Sequence, residues 1–250
     1  MHITHAFFSI ACACASIVAA TAAPTASEII ARAREKIGPE DKLKAVNSLV
    51  FESKRIDKGD KTSFAQVEYK APAKRREYRL DRNNSSGVPT EIIIASNGLE
   101  GYSKVVNLNT KDQRIRPFQA VQLRFNVDLF YAETGFFSTP PGGSVAYVGE
   151  TKQKGKDAYS VEYKYAGGLI VLRHFDAQTY KLVAYEVYNA KMPTETRLRI
   201  EEEGDKVVDG IHFPEKVTVF VGGEKSYTVE HTQIKVNSNI PDAAFAFPMP

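Results

Sequence analysis

The sequence predicts a mainly β protein: an antiparallel sheet, sandwich or barrel. Three observations carry this. From Leu49 onward apolar and polar residues alternate in short runs, as in Val161-Glu162-Tyr163-Lys164-Tyr165 and Val217-Thr218-Val219, which gives a strand one apolar and one wetter face. Turn-forming clusters separate these runs closely, with no long helix between them, as expected for consecutive antiparallel strands. Tyrosine and phenylalanine number 12 and 14 in 250 residues, and aromatic residues favour strands.

The elements follow in order. Ala6 to Ala23 is a short run of apolar and small residues ending at Ala20-Thr21-Ala22-Ala23 before Pro24. Its length is below that of a membrane span, and its small-residue end fits a secretory signal peptide, residues 1–23, cleaved near Ala22 or Ala23. Both cysteines, Cys12 and Cys14, lie inside it, so the exported chain has no disulfide and no thiolate metal site. About 227 residues then remain, read as one domain over residues 24–250. No later stretch reaches the roughly 18 apolar residues of a membrane helix.

Ser27 to Gly38 reads as a helix, capped by Ser27 and stopped by Gly38, with Ile29, Ile30, Ala33 and Ile37 along one stripe. Pro39 to Ala45 suits a second short helix. Strands are expected at 49–56, 64–69, 74–80, 91–95 and 99–106. Between them lie the turns Asp57-Lys58-Gly59-Asp60-Lys61 and Ser96-Asn97-Gly98 and a loop over 83–89, with a polar loop over 109–116 after them. Gln119 to Gly143 is rich in Leu, Val and Phe and ends at Pro140-Pro141-Gly142-Gly143; it is expected to be an irregular or partly helical crossing between two β-meanders. Strands follow at 146–151, 157–165, 169–176, 181–188, 194–203, 212–221 and 226–236, with a terminal strand ending at a proline. A single sheet of about ten strands must coil. Its apolar concave side then needs covers, and the N-terminal helix and the central crossing are available for that.

Several short motifs occur in a fixed order: Phe51 in a strand after a helix, Tyr69-Lys70-Ala71-Pro72 followed by Arg76, Ile94-Ala95-Ser96-Asn97-Gly98 followed by Gly101-Tyr102, Phe175-Asp176-Ala177-Gln178-Thr179, Val208-Asp209-Gly210-Ile211-His212-Phe213-Pro214, and Phe245-Ala246-Phe247-Pro248. Together they resemble the LolA-like superfamily of bacterial periplasmic proteins: lipoprotein carriers, their outer-membrane receptors, and related lipoprotein-sorting and sensor-binding domains. The resemblance implies a single strongly curved antiparallel sheet, an incomplete barrel, covered by N-terminal and central helices over an apolar cavity. It also implies a periplasmic, non-enzymatic protein that binds or carries the acyl chains of lipids or lipoproteins, with an envelope protein as donor or acceptor. A sensor or interaction module of the same fold is the alternative. Two positions differ from the carriers' pattern: Ala71 stands where an arginine often precedes the proline, and Arg75 stands where an aromatic often follows it.

The expected cavity or lid residues are Ile29, Ile30, Ile37, Phe51, Ile94, Tyr102, Leu123, Phe125, Leu129, Phe130, Phe136 and Phe137. Lys70, Arg75 and Arg76 are the expected headgroup contacts, since a basic run can meet phosphate or an anionic surface; as plain sequence, Lys74 to Arg79 reads as an exposed strand of alternating charge. No catalytic residue, cofactor or metal is expected. His174, His212 and His231 lack metal-ligand spacing, and no nucleophile elbow, phosphate loop or dinucleotide fingerprint occurs. Glu201-Glu202-Glu203 reads as a solvated strand end. A net charge of +3 from 33 basic and 30 acidic residues is too balanced to point to nucleic acid.

Overall fold

The computed structural model describes residues 23–82, 87–190 and 197–248. The expected signal peptide, most of the 83–89 loop and the start of the strand expected at 194 lie outside the described residues.

Among the described residues, thirteen strands, numbered in chain order, form one antiparallel sheet in the order β6-β5-β4-β3-β2-β1-β15-β14-β11-β10-β9-β8-β7. The first half is a meander: β1 (Ser48–Asp57), β2 (Thr62–Lys70), β3 (Lys74–Asp81), β4 (Thr90–Ser96), β5 (Gly101–Asn107) and β6 (Gln113–Pro117). The second half holds β7 (Ser144–Gln153), β8 (Lys156–Lys164), β9 (Leu169–Asp176), β10 (Leu182–Asn189), β11 (Leu198–Glu203), β14 (Lys216–Val221) and β15 (Glu224–Val236). β15 pairs with β1 and joins the halves. β6 and β7 are the two margins and do not pair, so the sheet is an incomplete barrel.

Among the described residues, three α-helices and a ribbon accompany the sheet: α1 (Ala26–Ile37), α2 (Glu40–Lys44), α3 (Ala120–Thr134), and the two-stranded ribbon of β12 (Lys206–Val208) and β13 (Ile211–Phe213). α3 connects one margin to the other and packs on β3, β4 and β9. The ribbon turns at Asp209-Gly210, whose φ angles of 52° and 80° suit the tight hairpin that Asp-Gly favours. Pro214 ends it, so the strand expected at 212–221 is two strands with a break.

Other boundaries also differ from expectation. α1 is capped by Thr25, not Ser27: the Thr25 hydroxyl accepts from the Glu28 N–H while the Glu28 carboxylate accepts from the Thr25 N–H, at 3.2 and 2.8 Å, a reciprocal cap. Residues 113–116, expected as loop, form β6 together with Pro117 because β5 offers its free edge to them. The central crossing contains a regular helix of 15 residues. Before Phe130, its apolar residues fall at Val121, Leu123, Phe125, Val127 and Leu129, a period of two that hides a helix in contact with protein on several sides. The terminal strand is instead a 3-10 turn at Asp242–Phe245, which lies against the outer side of β3 and β4.

Two apolar clusters flank the concave side. One joins α1 to β8 and β9 through Ile29, Ala33, Val161, Tyr163, Leu169, Val171 and Phe175. The other joins α2, β1, β2, β13 and α3 through Leu43, Leu49, Tyr69, Phe130, Ile211, Phe213 and Ile234. Neither fills the space between them.

Candidate functional site

That space is a cavity of about 570 Å³, bounded by the sheet, α1, α3 and the ribbon. Strand alternation decides what faces it. On β10, β11, β14 and β15 the inward residues include Tyr185, Val187, Leu198, Ile200, Val217, Val219 and Val229, an almost wholly apolar wall. On β1, β2 and β3 they are Phe51, Ser53, Arg55, Ala65, Val67, Tyr69, Arg75, Glu77 and Arg79. All the inward residues of β3 bordering the cavity are therefore charged.

The charged wall is internally paired. Arg75 Nη2 donates to Glu77 at 2.9 Å and Nη1 to Asn126 Oδ1 of α3 at 3.3 Å. Arg55 donates to Asp57 at 2.8 Å and lies 3.5 Å from the Tyr227 ring centroid. Burial alone would raise the Glu77 carboxyl, but Arg75, then Arg79 and Arg55, outweigh it and hold it below the usual value.

A second charged group stands at α3 and the far wall. Arg173 is buried, stacks 4.4 Å from the Tyr163 ring centroid and donates to the Ala132 carbonyl at 2.8 Å. Burial raises the Glu133 carboxyl, with Arg173 and Arg75 opposing. Burial pushes Glu202 up to about 7; Glu133 adds to the rise and Arg173 opposes it. Glu133 keeps exposed surface although protein surrounds its carboxyl, because it borders the cavity.

The cover is fastened at both ends. The Asp128 carboxylate of α3 accepts from the Gly167 and Leu169 N–H groups at 3.0 and 3.1 Å. A Cβ on Gly167 would come within 2.5 Å of that carboxylate, so the close approach requires glycine. Beyond α3, Phe136 and Phe137 turn inward with φ of 44° and 67°, a left-handed conformation uncommon for bulky residues. Arg34 of α1 holds this turn, donating to the Gly135 and Phe136 carbonyls and the Ser138 hydroxyl at 3.0, 2.5 and 2.6 Å. Tyr163 Oη donates to the Phe137 carbonyl at 3.1 Å.

The residues expected at the site divide. Ile37, Phe51, Phe125, Leu129, Phe136 and Phe137 line the cavity together with Arg75. Ile29 is fully buried in the α1 cluster, and Ile30 packs against the same cluster. Phe130 is buried beside Tyr69, its ring 6.4 Å away. Leu123 and Ile94 are half-buried outside the lining; Ile94 shares the inward face of Glu77 by register but lies farther toward the margin. Tyr102 pairs with Ala95 on the outer face and packs on Phe247 at 5.4 Å.

The expected headgroup contacts also need correction. Lys70 and Arg76 point outward. Lys70 Nζ donates to the Ile240 carbonyl and Asp242 at 2.6 and 2.7 Å, and Arg76 pairs with Glu68 at 3.1 Å. Arg75 is inside, not on the surface, because the strand alternates. The same alternation corrects the reading of Lys74 to Arg79 as an exposed strand and, at Glu202, of Glu201-Glu202-Glu203 as a solvated end: Glu202 faces the cavity and Glu201 pairs with Arg199, while Glu203 is exposed and pairs with Lys216 at the surface.

Arg79, Glu133, Arg173 and Glu202 were not singled out as site residues. The alternation of charge in β3 was visible, but not which of its faces turns inward. The histidines take ordinary partners: His174 with Ser160 at 2.9 Å, His231 with Ser53 at 2.8 Å and His212 with Asp205 at 2.6 Å. Burial, then Lys206, pushes His231 down to about 4. Among the described residues no group of three or more His, Cys, Asp or Glu could hold a metal ion, and no helix is long and apolar enough to cross a membrane.

Compared by sequence, no protein-family model and no curated protein matches the chain. Solved structures do. A LolA-superfamily protein from Nitrosomonas europaea is 12% identical, with a TM-score of 0.55, and the match covers 90% of this chain and 99% of that one. An outer membrane lipoprotein-sorting protein domain from Vibrio parahaemolyticus is 12% identical, with a TM-score of 0.54 and coverage of 86% and 94%. A DUF1329-family protein from Desulfovibrio piger is 14% identical, with a TM-score of 0.56 and coverage of 88% and 97%. At such identities the likeness is one of fold.

Proposed function

We propose that this chain, which has the LolA-like fold, binds the acyl chain of a lipid or lipoprotein in the hollow of its sheet and carries it across the bacterial envelope. In this reading the chain is exported by a cleavable signal over residues 1–23, works in the periplasm as one unit over residues 24–250, and binds cargo without catalysis. The observation that carries the proposal is the unfilled concave side: about 570 Å³ beneath α1 and α3, with one apolar wall. That volume falls within the roughly 300–1,000 Å³ of ligand pockets.

The physics favours a chain. Each buried methylene contributes roughly 0.8 kcal/mol, so a long acyl chain gains on the order of 10 kcal/mol. Such a gain needs no charged partner and no reactive side chain. Ile37, Phe51, Phe125, Leu129, Phe136 and Phe137 would touch the chain. The cover holding Phe136 and Phe137 would have to move for entry and release, and a strained turn held by a few hydrogen bonds suits that role.

Native mass spectrometry of the protein purified from the envelope tests the proposal, together with uptake of a fluorescent acyl probe by the delipidated protein. Co-purified lipid or lipopeptide and saturable uptake are expected. A clean apo mass with no uptake would overturn it.

A further inference from the structure

An acyl chain alone does not account for the charged wall. A chain laid on Arg75, Glu77 and Arg79 would strip water from ionised groups and offer them nothing in return. The wall also has donors to spare. Among the described residues, the buried Nε atoms of Arg75 and Arg79 make no hydrogen bond, and neither does Nη1 of Arg173. All three side chains border the cavity. Buried donors normally have partners, so unmade bonds on guanidinium groups around one hollow need a reason. Glu77 is a single carboxylate that feels Arg75, Arg79 and Arg55 together. A guanidinium fork matches the paired oxygens of a carboxylate or phosphate. The opposite wall is apolar along Leu198, Ile200, Val217 and Val219, with Glu202 at one end of β11.

We infer that the hollow takes a single-chain amphiphile with an anionic head, its chain along Leu198, Ile200, Val217 and Val219 and its head against Arg75 and Arg79. The inference rests on the acyl-chain reading and adds the chemistry and direction of the head. Of the acidic side chains around the hollow, Glu133 lies on α3, Glu202 on β11 and Asp205 beside the ribbon, while Glu77 on β3 is already bonded to Arg75. A head placed beside Glu133 and Glu202 meets two carboxyl groups around the single guanidinium of Arg173, whereas one placed at β3 meets two guanidinium groups against one paired carboxylate. A carboxylate and a phosphate satisfy this wall by the same bonds.

Calorimetric titration of the delipidated protein with palmitate, hexadecyl phosphate, hexadecanol and hexadecyltrimethylammonium tests this. The better of the two anions should bind about tenfold tighter than hexadecanol, and Arg79→Gln should remove about that factor while leaving hexadecanol within about twofold. Arg79→Lys should fall between. The order of palmitate and hexadecyl phosphate identifies the head. Should Arg79→Gln not fold, the wild-type series still decides, because the anionic advantage should shrink at high salt. Hexadecanol binding as tightly as both anions, or Arg79→Gln weakening every ligand equally, would overturn the head assignment and leave chain binding standing. If none of the four binds, the acyl-chain reading itself fails.

Discussion

β14 and β3 obey the same alternation and turn opposite chemistry inward. On β14 the inward residues are Val217 and Val219; on β3 they are Arg75, Glu77 and Arg79. In a filled core the second arrangement would be costly, since buried ions without partners are strongly disfavoured. Around a hollow the wall can be charged, because its groups pair along the strand and border open space. The difference teaches that an inward face need not be an apolar face where the inside is a cavity.

That comparison breaks first at the apolar wall. Val219 is buried, with 5% of its surface exposed. Val219→Glu should destabilise the protein by about 3–5 kcal/mol, as an unpaired buried charge does, and thermal unfolding should show a midpoint lower by on the order of 10 °C. A loss under about 1 kcal/mol would mean that the two walls do not differ in polarity. On the charged wall, Glu77→Gln leaves three guanidinium groups without their shared carboxylate. It should cost about 2–3 kcal/mol, and added sulfate should raise the midpoint more in this variant than in wild type.

The cover sharpens the contrast at smaller size. Asp128 fastens α3 to the apolar half through two backbone N–H groups, and Asn126 fastens it to Arg75 on the charged half through one bond of 3.3 Å. Asp128→Ala should cost about 2 kcal/mol and Asn126→Ala about 1 kcal/mol by chemical denaturation. The reverse order would mean that α3 hangs mainly from the charged wall.

The last effect is a pH dependence. The folded state holds the Glu202 proton up to about 7, against an ordinary glutamate value of 4.5. Between those values the folded state binds more protons than the unfolded one, so this group's contribution is lost as pH rises from about 4.5 to about 7. Arg173 and Glu133 face Glu202 and set the size of the effect. Glu202→Gln should therefore raise the unfolding midpoint at pH 8 and leave it unchanged at pH 4.5. His231, pushed down to about 4, acts in the opposite sense, because the unfolded chain gains its proton first as pH falls. Comparing the variant with wild type at each pH cancels the histidine term.

Much of the architecture is legible in the sequence. The alternation of Tyr159 to Tyr165, the turn at Ser96-Asn97-Gly98 and the Asp209-Gly210 hairpin each fix local geometry through local chemistry. α3 was only half visible, since protein contacts it on several sides and its apolar residues follow a period of two. β6 was missed because Gln113 to Pro117 is polar and forms a strand only through the free edge of β5. Around the hollow, Phe51, Phe125 and Phe137 are legible as inward residues, because apolar residues signal an interior. Glu202 and Arg79 are not, because a charged residue signals a surface unless the interior is hollow. Tyr102 and Lys70 were misplaced by one step of the same alternation, which assigns residues to faces but does not say which face curls inward.

The open hollow itself is tested most directly by filling it. Ala65 borders the cavity from β2, between Arg79 of β3 and Ser53 of β1. In Ala65→Trp the indole should occupy the space intended for cargo, leave the unfolding midpoint within a few degrees of wild type, and cut the affinity for a fluorescent acyl probe by at least about tenfold. A folded Ala65→Trp protein that binds the probe as tightly as wild type would place the chain somewhere else and contradict the account.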